Sequence, residues 1–145
     1  MTNRFNIRVY GLLINERNEV LICDENRFGR KFTKFPGGGL EWGEGTKETV
    51  QREWKEELGI DIKPEGLFYV NDFFQESAFR NQDQIISFYF LVSTKNELKG
   101  IQCSNAPYFS EEVQESFRWI QISSIDELTF TFPIDKKVGE LLKER

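Results

Sequence analysis

Three glutamates, Glu53, Glu56 and Glu57, have the residue type and the spacing to do chemistry together. They lie in the segment GGGLEWGEGTKETVQREWKEELGI, residues 37–60. In a helix of 100° per residue, Glu56 lies about 60° and Glu57 about 40° from Glu53, on opposite sides of it. Each pair of like charges four residues apart destabilises a helix by about 0.2–0.5 kcal/mol. A solvated acidic face is one interpretation; a site for a hard cation such as Mg²⁺, which prefers oxygen ligands, is the other.

The glycine triplet of residues 37–39 predicts a loop that can come close to a ligand. It leads into the N-terminus of the helix, where free N–H groups and the helix dipole favour anions. A glycine triplet alone is more often a simple turn. Together with the carboxylates, it predicts one site for a metal ion and a phosphate.

The helix that carries these glutamates is predicted from about Lys47 to Leu58. Thr46 is its predicted N-terminal cap, and Gly59 is well placed to end it. An apolar stripe next to the acidic face predicts that the helix packs on a sheet. The stripe consists of Val50, Trp54 and Leu58.

The rest of the chain predicts mainly strands. Residues 6–14 and the segment EVLICD indicate a hairpin, followed by a basic loop, NRFGRKFTKFP. Further strands are predicted at GLFYVNDFF, at QIISFYFLVS, which is apolar enough to be buried on both faces, and at FRWIQI. A last helix is predicted from about Pro133 to Lys143. This order predicts a layered α/β or α+β fold.

Composition limits the function classes. The 145 residues predict a single domain, 1–145, and the net charge of −5 disfavours a stable nucleic-acid partner. The absence of histidine excludes Ser-His-Asp catalysis and the usual zinc hydrolase sites. No signal peptide and no long apolar span are recognised, so we expect a cytoplasmic protein without a membrane partner. Cys23 and Cys103 are interpreted as free thiols.

The segment resembles the Nudix box: a glycine, five residues, a glutamate, seven residues, then Arg-Glu-apolar-any-Glu-Glu-any-Gly-apolar. The matching residues are Gly38, Glu44, Arg52, Glu53, Trp54, Glu56, Glu57, Gly59 and Ile60. At about 7% per residue type, seven fixed positions match by chance with a probability on the order of 10⁻⁸ per start site. Trp54 departs from the family, which generally has an aliphatic residue there, and this predicts altered packing.

The resemblance implies the Nudix fold, a mixed β-sheet sandwiched between α-helices. It implies hydrolysis of the diphosphate bond in a small-molecule nucleoside diphosphate linked to another group, with Mg²⁺ or Mn²⁺. A water activated by the metal would attack phosphorus. The implied metal ligands are Glu53, Glu56 and Glu57 with the backbone of Gly38. Arg52 and Glu44 would brace the loop against the helix, and either Glu53 or Glu57 would be the general base.

Residues outside the box are weaker candidates. Gly37 and Gly39 are predicted to contact substrate through the backbone, and a later acidic loop offers Glu111, Glu112 and Glu115, of which the last two are favoured. Loop cations could meet the distal phosphate or simply be solvated: Arg27, Arg30, Lys31 and Lys34. Four aromatic residues could stack on a base, although strand aromatics are usually core: Phe73, Phe74, Phe79 and Tyr89.

Two other functions remain open on the same scaffold. One is a non-catalytic, nucleotide-binding or regulatory Nudix domain, which a broken glutamate set would favour. The other is an isopentenyl diphosphate isomerase, which requires a catalytic cysteine at Cys23 or Cys103. Because the arginine and the glutamates of the segment REWKEE are all present, we rank both of these functions below a hydrolase. A homodimer is an open expectation, since paired domains are common in the family.

Overall fold

The computed structural model of the chain describes residues 1–145. It contains seven strands and two α-helices, with a short 3-10 turn at Ile122–Ser124. The elements are β1 (Arg4–Leu13), β2 (Glu19–Arg27), β3 (Arg30–Lys34), β4 (Gly37–Gly39), α1 (Thr46–Leu58), β5 (Lys63–Val70), β6 (Asp83–Ser93), β7 (Glu115–Gln121) and α2 (Pro133–Glu144). No helix is long and apolar enough to span a membrane.

The chain divides into two compact units. The first comprises Met1–Leu12 and Gly37–Asn96, and the second comprises Leu13–Pro36 and Glu97–Arg145. Each unit contains one sheet and one α-helix. The α+β class expected from the resemblance is therefore confirmed, with the strands distributed over two sheets.

The first unit holds a four-stranded sheet in the order β4-β1-β6-β5. β4 runs antiparallel to β1, with Gly38 opposite Val9, and β5 runs antiparallel to β6. Helix α1 contacts β4 and β5. Val50 and Trp54 on α1 are completely buried, which confirms these two members of the predicted apolar stripe, whereas the third, Leu58, is half-buried.

The second unit holds a three-stranded antiparallel sheet in the order β3-β2-β7. Helix α2 begins at Pro133, as predicted, and buries Ile134, Val138 and Leu142. These residues lie three or four positions apart, the spacing that places side chains on one helical face.

The predicted hairpin between residues 6–14 and EVLICD is wrong. β1 belongs to the first sheet and β2 to the second, and only an isolated bridge joins Ile14 to Val20. The Asn15 side-chain oxygen accepts hydrogen bonds from the amides of Arg17 and Glu19, both at 3.0 Å. These contacts stabilise the turn of residues 15–19, and no ladder extends beyond it because the two strands pair with partners in different sheets.

Two predicted loops are strands. The basic segment continues β2 to Arg27, turns at Phe28 and Gly29, and returns as β3, with Arg27 paired to Arg30. The glycine triplet forms β4. Glycine lowers strand propensity but leaves the backbone able to form a ladder, so the partner β1 overrides the local preference.

Helix α1 differs from the prediction only at its first residue. Its N-cap is Gly45, and Thr46 is the first helical residue. The Glu48 carboxylate accepts a hydrogen bond from the Gly45 amide at 2.9 Å, so a side chain from the first turn satisfies the cap. Gly59 ends the helix at φ 70°, as predicted, and its amide donates to the Lys55 carbonyl.

The strand predicted to reach Phe74 ends at Val70. The Asn71 side-chain oxygen accepts from the Ser87 amide at 2.8 Å, and its Nδ2 donates to the Phe73 carbonyl at 2.9 Å. Asn71 thus bends the chain away from the ladder. The later apolar strand, β6, has no exposed residue, and each of its positions is either buried or half-buried, in line with the predicted burial on both faces.

Candidate active site

Arg52 on α1 forms a two-pronged ion pair with Glu44 in the preceding loop. Its Nε donates to Oε2 at 2.5 Å, and its Nη2 donates to Oε1 at 3.1 Å. Glu44 Oε1 also accepts from the Thr49 hydroxyl at 3.0 Å and the Glu41 amide at 3.1 Å. The carboxylate therefore fixes the loop against the first turns of the helix.

The remaining donor positions of Arg52 connect the glycine strand to the acidic face of α1. Nη2 donates to the Gly39 carbonyl at 3.0 Å. Nη1 donates to Glu53 at 3.0 Å and to Glu56 at 3.3 Å. A single guanidinium thus sets the position of two of the three predicted metal ligands, which a lysine could not do because it lacks the planar fork.

The pair of Arg52 and Glu44 stays ionised over the whole working range of pH. The hydrogen bonds from Arg52, reinforced by those from the Glu41 amide and Thr49, lower the pKa of Glu44 to about 2. The pKa of Arg52 is raised, chiefly by its hydrogen bond to Glu44 and next by Glu53. Desolvation opposes both shifts and is outweighed.

The Glu53 carboxylate lies directly against the backbone of Gly38. A β-carbon at position 38 would lie 2.3 Å from Cδ and 2.4 Å from Oε1 of Glu53. Position 37 is equally closed, because a β-carbon there would lie 2.1 Å from the Val9 carbonyl oxygen. Only glycine allows this approach of strand and carboxylate.

The three glutamates of α1 differ in their exposure. The side chain of Glu53 is 16% exposed and that of Glu56 is 58% exposed. Glu57 is half-buried, and its Oε2 atom is buried. The helix therefore offers carboxylates from the edge of the packed surface out to solvent, all with oxygen donors of the kind that hard divalent cations bind.

Trp54, the one unusual residue of the box, is matched by a glycine that the motif does not include. A β-carbon at Gly11 on β1 would lie 2.7–2.9 Å from three atoms of the Trp54 indole. Trp54 is completely buried. Gly11 thus makes room for the larger side chain, which explains how the altered packing that we predicted is accommodated.

The loop cations predicted to bind substrate lie in the second unit, and acidic partners are seen for Arg27 and Lys34. Arg27 pairs with Glu25 at 2.9 Å. Lys34 is buried, with Nζ 3.8 Å from Glu25 and 3.9 Å from Glu115. Arg30 is exposed at the turn between β2 and β3.

The two favoured later carboxylates, Glu112 and Glu115, also lie in the second unit, and their environments differ. Glu112 is exposed, and its amide donates to the Ser110 hydroxyl. Glu115 begins β7, and its Oε2 lies 3.7 Å from the sulfur of the buried Cys23. Neither cysteine forms a disulfide, and Cys103 is exposed.

Sequence reasoning missed the buried carboxylates of β2, which are Glu19, Asp24 and Glu25. Asp24 receives two hydrogen bonds from Arg118, at 2.7 and 3.1 Å, and one from the Thr33 hydroxyl at 2.7 Å. Glu25 is 2% exposed and contacts Lys34. For Asp24 and Glu25 the available signal was their position as an acidic pair directly after the apolar run VLIC, because buried charges require partners.

The four aromatic candidates fall into two groups according to their burial. Tyr89 is buried and stacks on Tyr10 with ring centroids 5.1 Å apart, which confirms the core interpretation for this residue. Phe73, Phe74 and Phe79 are at least partly exposed, so the core interpretation is wrong for them. All three follow the end of β5, in the segment that Asn71 turns away from the sheet.

Comparison with known proteins places this geometry in a family. The sequence model of the NUDIX domain matches residues 4–142. The chain belongs to the Nudix family. This Nudix protein is a hydrolase acting on phosphorus-containing acid anhydrides, as the resemblance implied.

Relatives and solved structures agree with this assignment. The Nudix chain is 28% identical to the 8-oxo-dGTP diphosphatase of Haemophilus influenzae over 136 residues, 92% of this chain and 89% of that protein. It is 38% identical to the human 8-oxo-dGDP phosphatase NUDT18 over 65 residues, 44% of this chain but only 20% of that protein. The crystal structure of the MutT protein of Methanosarcina mazei shares its fold, with a TM-score of 0.67, 20% identity, and coverage of 99% of this chain and 96% of that one.

Proposed function

We propose that this Nudix hydrolase cleaves the diphosphate bond of a nucleoside diphosphate linked to another group, and that it requires Mg²⁺ or Mn²⁺. The observation that carries the proposal is the position of Glu53. Its carboxylate is held by Arg52 at 3.0 Å and lies against the side-chain-free backbone of Gly38. A carboxylate oriented in this way, one turn from two more, is suited to bind a cation rather than to solvate a surface.

The donor set fits a hard divalent cation. We propose Glu53, Glu56, Glu57 and the backbone of Gly38 as ligands, because all of them offer oxygen and none offers a soft donor. A bound Mg²⁺ or Mn²⁺ would neutralise the diphosphate and lower the pKa of a water that attacks phosphorus.

Residues of the chain would then carry out the proton transfer and the positioning of the reacting groups. Either Glu53 or Glu57 accepts the proton of the attacking water, whose oxygen forms a bond to one phosphorus. The bridging P–O bond breaks, and its electron pair leaves with the departing phosphate. Arg52 and Glu44 act as positioning residues, because their contacts fix Glu53, Glu56 and the Gly39 carbonyl.

Substrate contacts are proposed at two places. Gly37 and Gly39 flank Gly38 and would contact phosphate oxygens through the backbone, as would the exposed Arg30 through its guanidinium. Arg27 and Lys34 would first have to give up contacts with Glu25. Glu112 and Glu115 remain additional carboxylate candidates, the second at the cost of its contact with Lys34.

The names of two relatives suggest the first substrates to test. We propose that the substrate class includes nucleoside triphosphates and diphosphates, with 8-oxo-dGTP first, because the relative of that name aligns with 92% of this chain. We further propose that the chain acts as one domain, since the NUDIX model spans segments of both units.

The test is a screen of nucleotides with Mg²⁺ or Mn²⁺, read by product mass and with ¹⁸O-labelled water to locate the attacked phosphorus. We expect Glu57→Gln to lower kcat by at least about 100-fold at an unchanged circular dichroism spectrum. Glu140→Gln, on the exposed side of α2, is the matched control and should keep full activity. Full activity of Glu57→Gln would refute the ligand assignment.

A second readout separates the alternatives. Mg²⁺ should raise the Tm of the wild type and not that of Glu53→Gln/Glu57→Gln, because ligand binding stabilises only a protein with an intact site. A nucleotide that raises Tm without turnover would identify a non-catalytic binding domain. Rearrangement of isopentenyl diphosphate without phosphate release would identify the isomerase.

A further inference from the structure

The hairpin between β2 and β3 ends in an exposed phenylalanine. Phe28 and Gly29 are the two turn residues, since Arg27 pairs with Arg30 across the ladder. Their φ angles are 51° and 88°. Two positive φ angles in a two-residue loop indicate a type I′ turn.

Phe28 is an unfavourable residue for this position. Positive φ is uncommon for bulky side chains, and type I′ turns strongly prefer Asn-Gly. The Phe28 side chain is 101% exposed, so no packing within the chain offsets the backbone cost. A strained residue whose side chain projects fully into solvent suggests a role outside the fold.

The side chains around Phe28 are cationic. Arg27, Arg30 and Lys31 are all exposed, and they give residues 26–31 a charge of +3. The whole chain carries −5, so the remaining residues carry −8. At physiological ionic strength charges act over about 8 Å, so distant acidic residues are largely screened at the tip, whereas the Glu25 carboxylate that pairs with Arg27 is not.

The tip is also held in a defined shape. The Asn26 side-chain oxygen accepts from the Gly29 amide at 3.1 Å, and the Asn26 Nδ2 donates to the Ser110 carbonyl at 3.0 Å. The Arg27 guanidinium bonds to Glu25 at 3.0 Å and lies 5.8 Å from the centroid of the Phe32 ring. The aromatic ring and its cations are therefore presented by a braced hairpin.

We propose that this tip, residues 26–31, binds single-stranded nucleic acid. An exposed ring that can stack on a base, followed by the exposed cations Arg30 and Lys31 for the adjacent phosphates, is the combination by which proteins hold single strands without sequence preference. Two of the three cations are arginines, whose planar fork suits phosphate. The net charge of −5 disfavours such a partner only when the charge is averaged over the surface.

An anionic membrane is a weaker match for the same surface. Stable attachment to a bilayer takes two signals, such as an acyl chain together with a basic patch. The tip offers a single apolar side chain among polar ones, so little apolar area is available for insertion. The proposal concerns binding alone and does not depend on the proposed hydrolysis.

The test is fluorescence anisotropy of the full chain with labelled 12-nucleotide oligo-U and oligo-dT over a range of salt concentrations. We expect Phe28→Asn to weaken binding about tenfold, the usual effect of losing one stacked base. Its Tm should stay the same or rise, because Asn-Gly is the preferred pair for this turn. Leu128→Asn, which removes another exposed apolar side chain of the second unit, should leave binding unchanged.

The charge is tested separately. Arg30→Gln/Lys31→Gln should reduce the slope of log K against log salt by about 1.4, since each lost phosphate contact contributes about 0.7 on a single strand. Lys137→Gln, an exposed cation on α2, is the control and should not change the slope. Phe28→Asn should also hydrolyse the small-molecule substrate at the wild-type rate.

Three outcomes would overturn the proposal. The first is no binding of either oligonucleotide at low salt, and the second is equal affinity of wild type and Phe28→Asn. The third is binding to phosphatidylserine vesicles, lost in Phe28→Asn, without binding to oligonucleotides, which would assign the tip to membranes. Because all three are binding measurements, they are independent of whether the enzyme hydrolyses nucleotides.

Discussion

The guanidinium of Arg52 holds both carboxylate oxygens of Glu44, at 2.5 and 3.1 Å, and thereby joins α1 to the loop before it. The two residues are eight positions apart, on either side of the start of the helix. The same guanidinium reaches Glu53, Glu56 and the Gly39 carbonyl. The pair therefore transmits the position of the loop to the carboxylates that we propose as metal ligands.

The pH dependence of stability should report this pair. The pKa of Glu44 is lowered from 4.5 to about 2, chiefly by Arg52. A lowered carboxyl pKa stabilises the fold fully above the unfolded pKa and progressively less as pH falls through the folded pKa. The Tm of wild type should therefore exceed that of Glu44→Gln near neutral pH, and the gap should narrow between about pH 4.5 and pH 2.

Thermal melts of both proteins across this range provide the measurement. Glu140→Gln is the control, and its Tm should follow the wild type at every pH. A gap between wild type and Glu44→Gln that is constant from pH 6 to pH 2 would contradict the role of ionised Glu44.

Gly38→Ala should remove activity while leaving most of the fold. Its β-carbon would lie 2.3 Å from Cδ of Glu53, so the carboxylate must move. Displacing a catalytic group by about 1 Å commonly costs about 100-fold in rate. Steady-state kcat is the measurement, and Gly66→Ala is the matched control, because nothing lies within 4 Å of its added carbon. Wild-type kcat in Gly38→Ala would show that the close approach has no catalytic role.

Gly11→Ala should destabilise the first unit because of Trp54. The added carbon would lie 2.7–2.9 Å from the indole, and overpacking of this kind costs about 1–3 kcal/mol. The double variant Gly11→Ala/Trp54→Leu should lose less free energy of unfolding than the two single variants lose in sum. The smaller leucine leaves room for the carbon added at position 11. Urea unfolding measures all four proteins, and strict additivity would mean that the two residues are not coupled.

Arg118→Met should destabilise the protein by about 3–5 kcal/mol, because it leaves the Asp24 carboxylate buried without its main partner. Lys99→Met is the control. Lys99 pairs with Glu97 on the surface, with both side chains more than three-quarters exposed, so the expected loss is below about 1 kcal/mol. Chemical denaturation measures both losses. Equal losses in the two variants would show that burial does not strengthen the dependence on the partner.

The elements predicted correctly are those whose sequence signals lie within a few residues of one another. Helix α1, its C-terminal glycine and its apolar stripe follow from spacings of three and four residues, which a helix converts directly into shared faces. The final helix follows in the same way from Ile134, Val138 and Leu142. The spacing of the glutamates belongs to this class, so the acidic face of α1 was also predictable.

Strand partners were not predictable in this way. The hairpin of β1 with β2 and the basic loop after it were wrong, because a ladder depends on residues far apart in sequence. The glycine triplet became a strand only through its pairing with β1. The end of β5 depended on the contact of Asn71 with Ser87, sixteen residues away.

The sequence by itself determined the reaction class, because the Nudix box is a local pattern of glycines, an arginine and glutamates whose spacing is preserved by a helix and its preceding loop. Only the tertiary structure determined what each group meets: Glu53 against Gly38, Trp54 against Gly11, and Arg118 against Asp24. The physical reason is the separation in sequence between the residues that interact. Helical geometry relates residues within one or two turns, whereas burial and ion pairing join residues that the fold alone brings together.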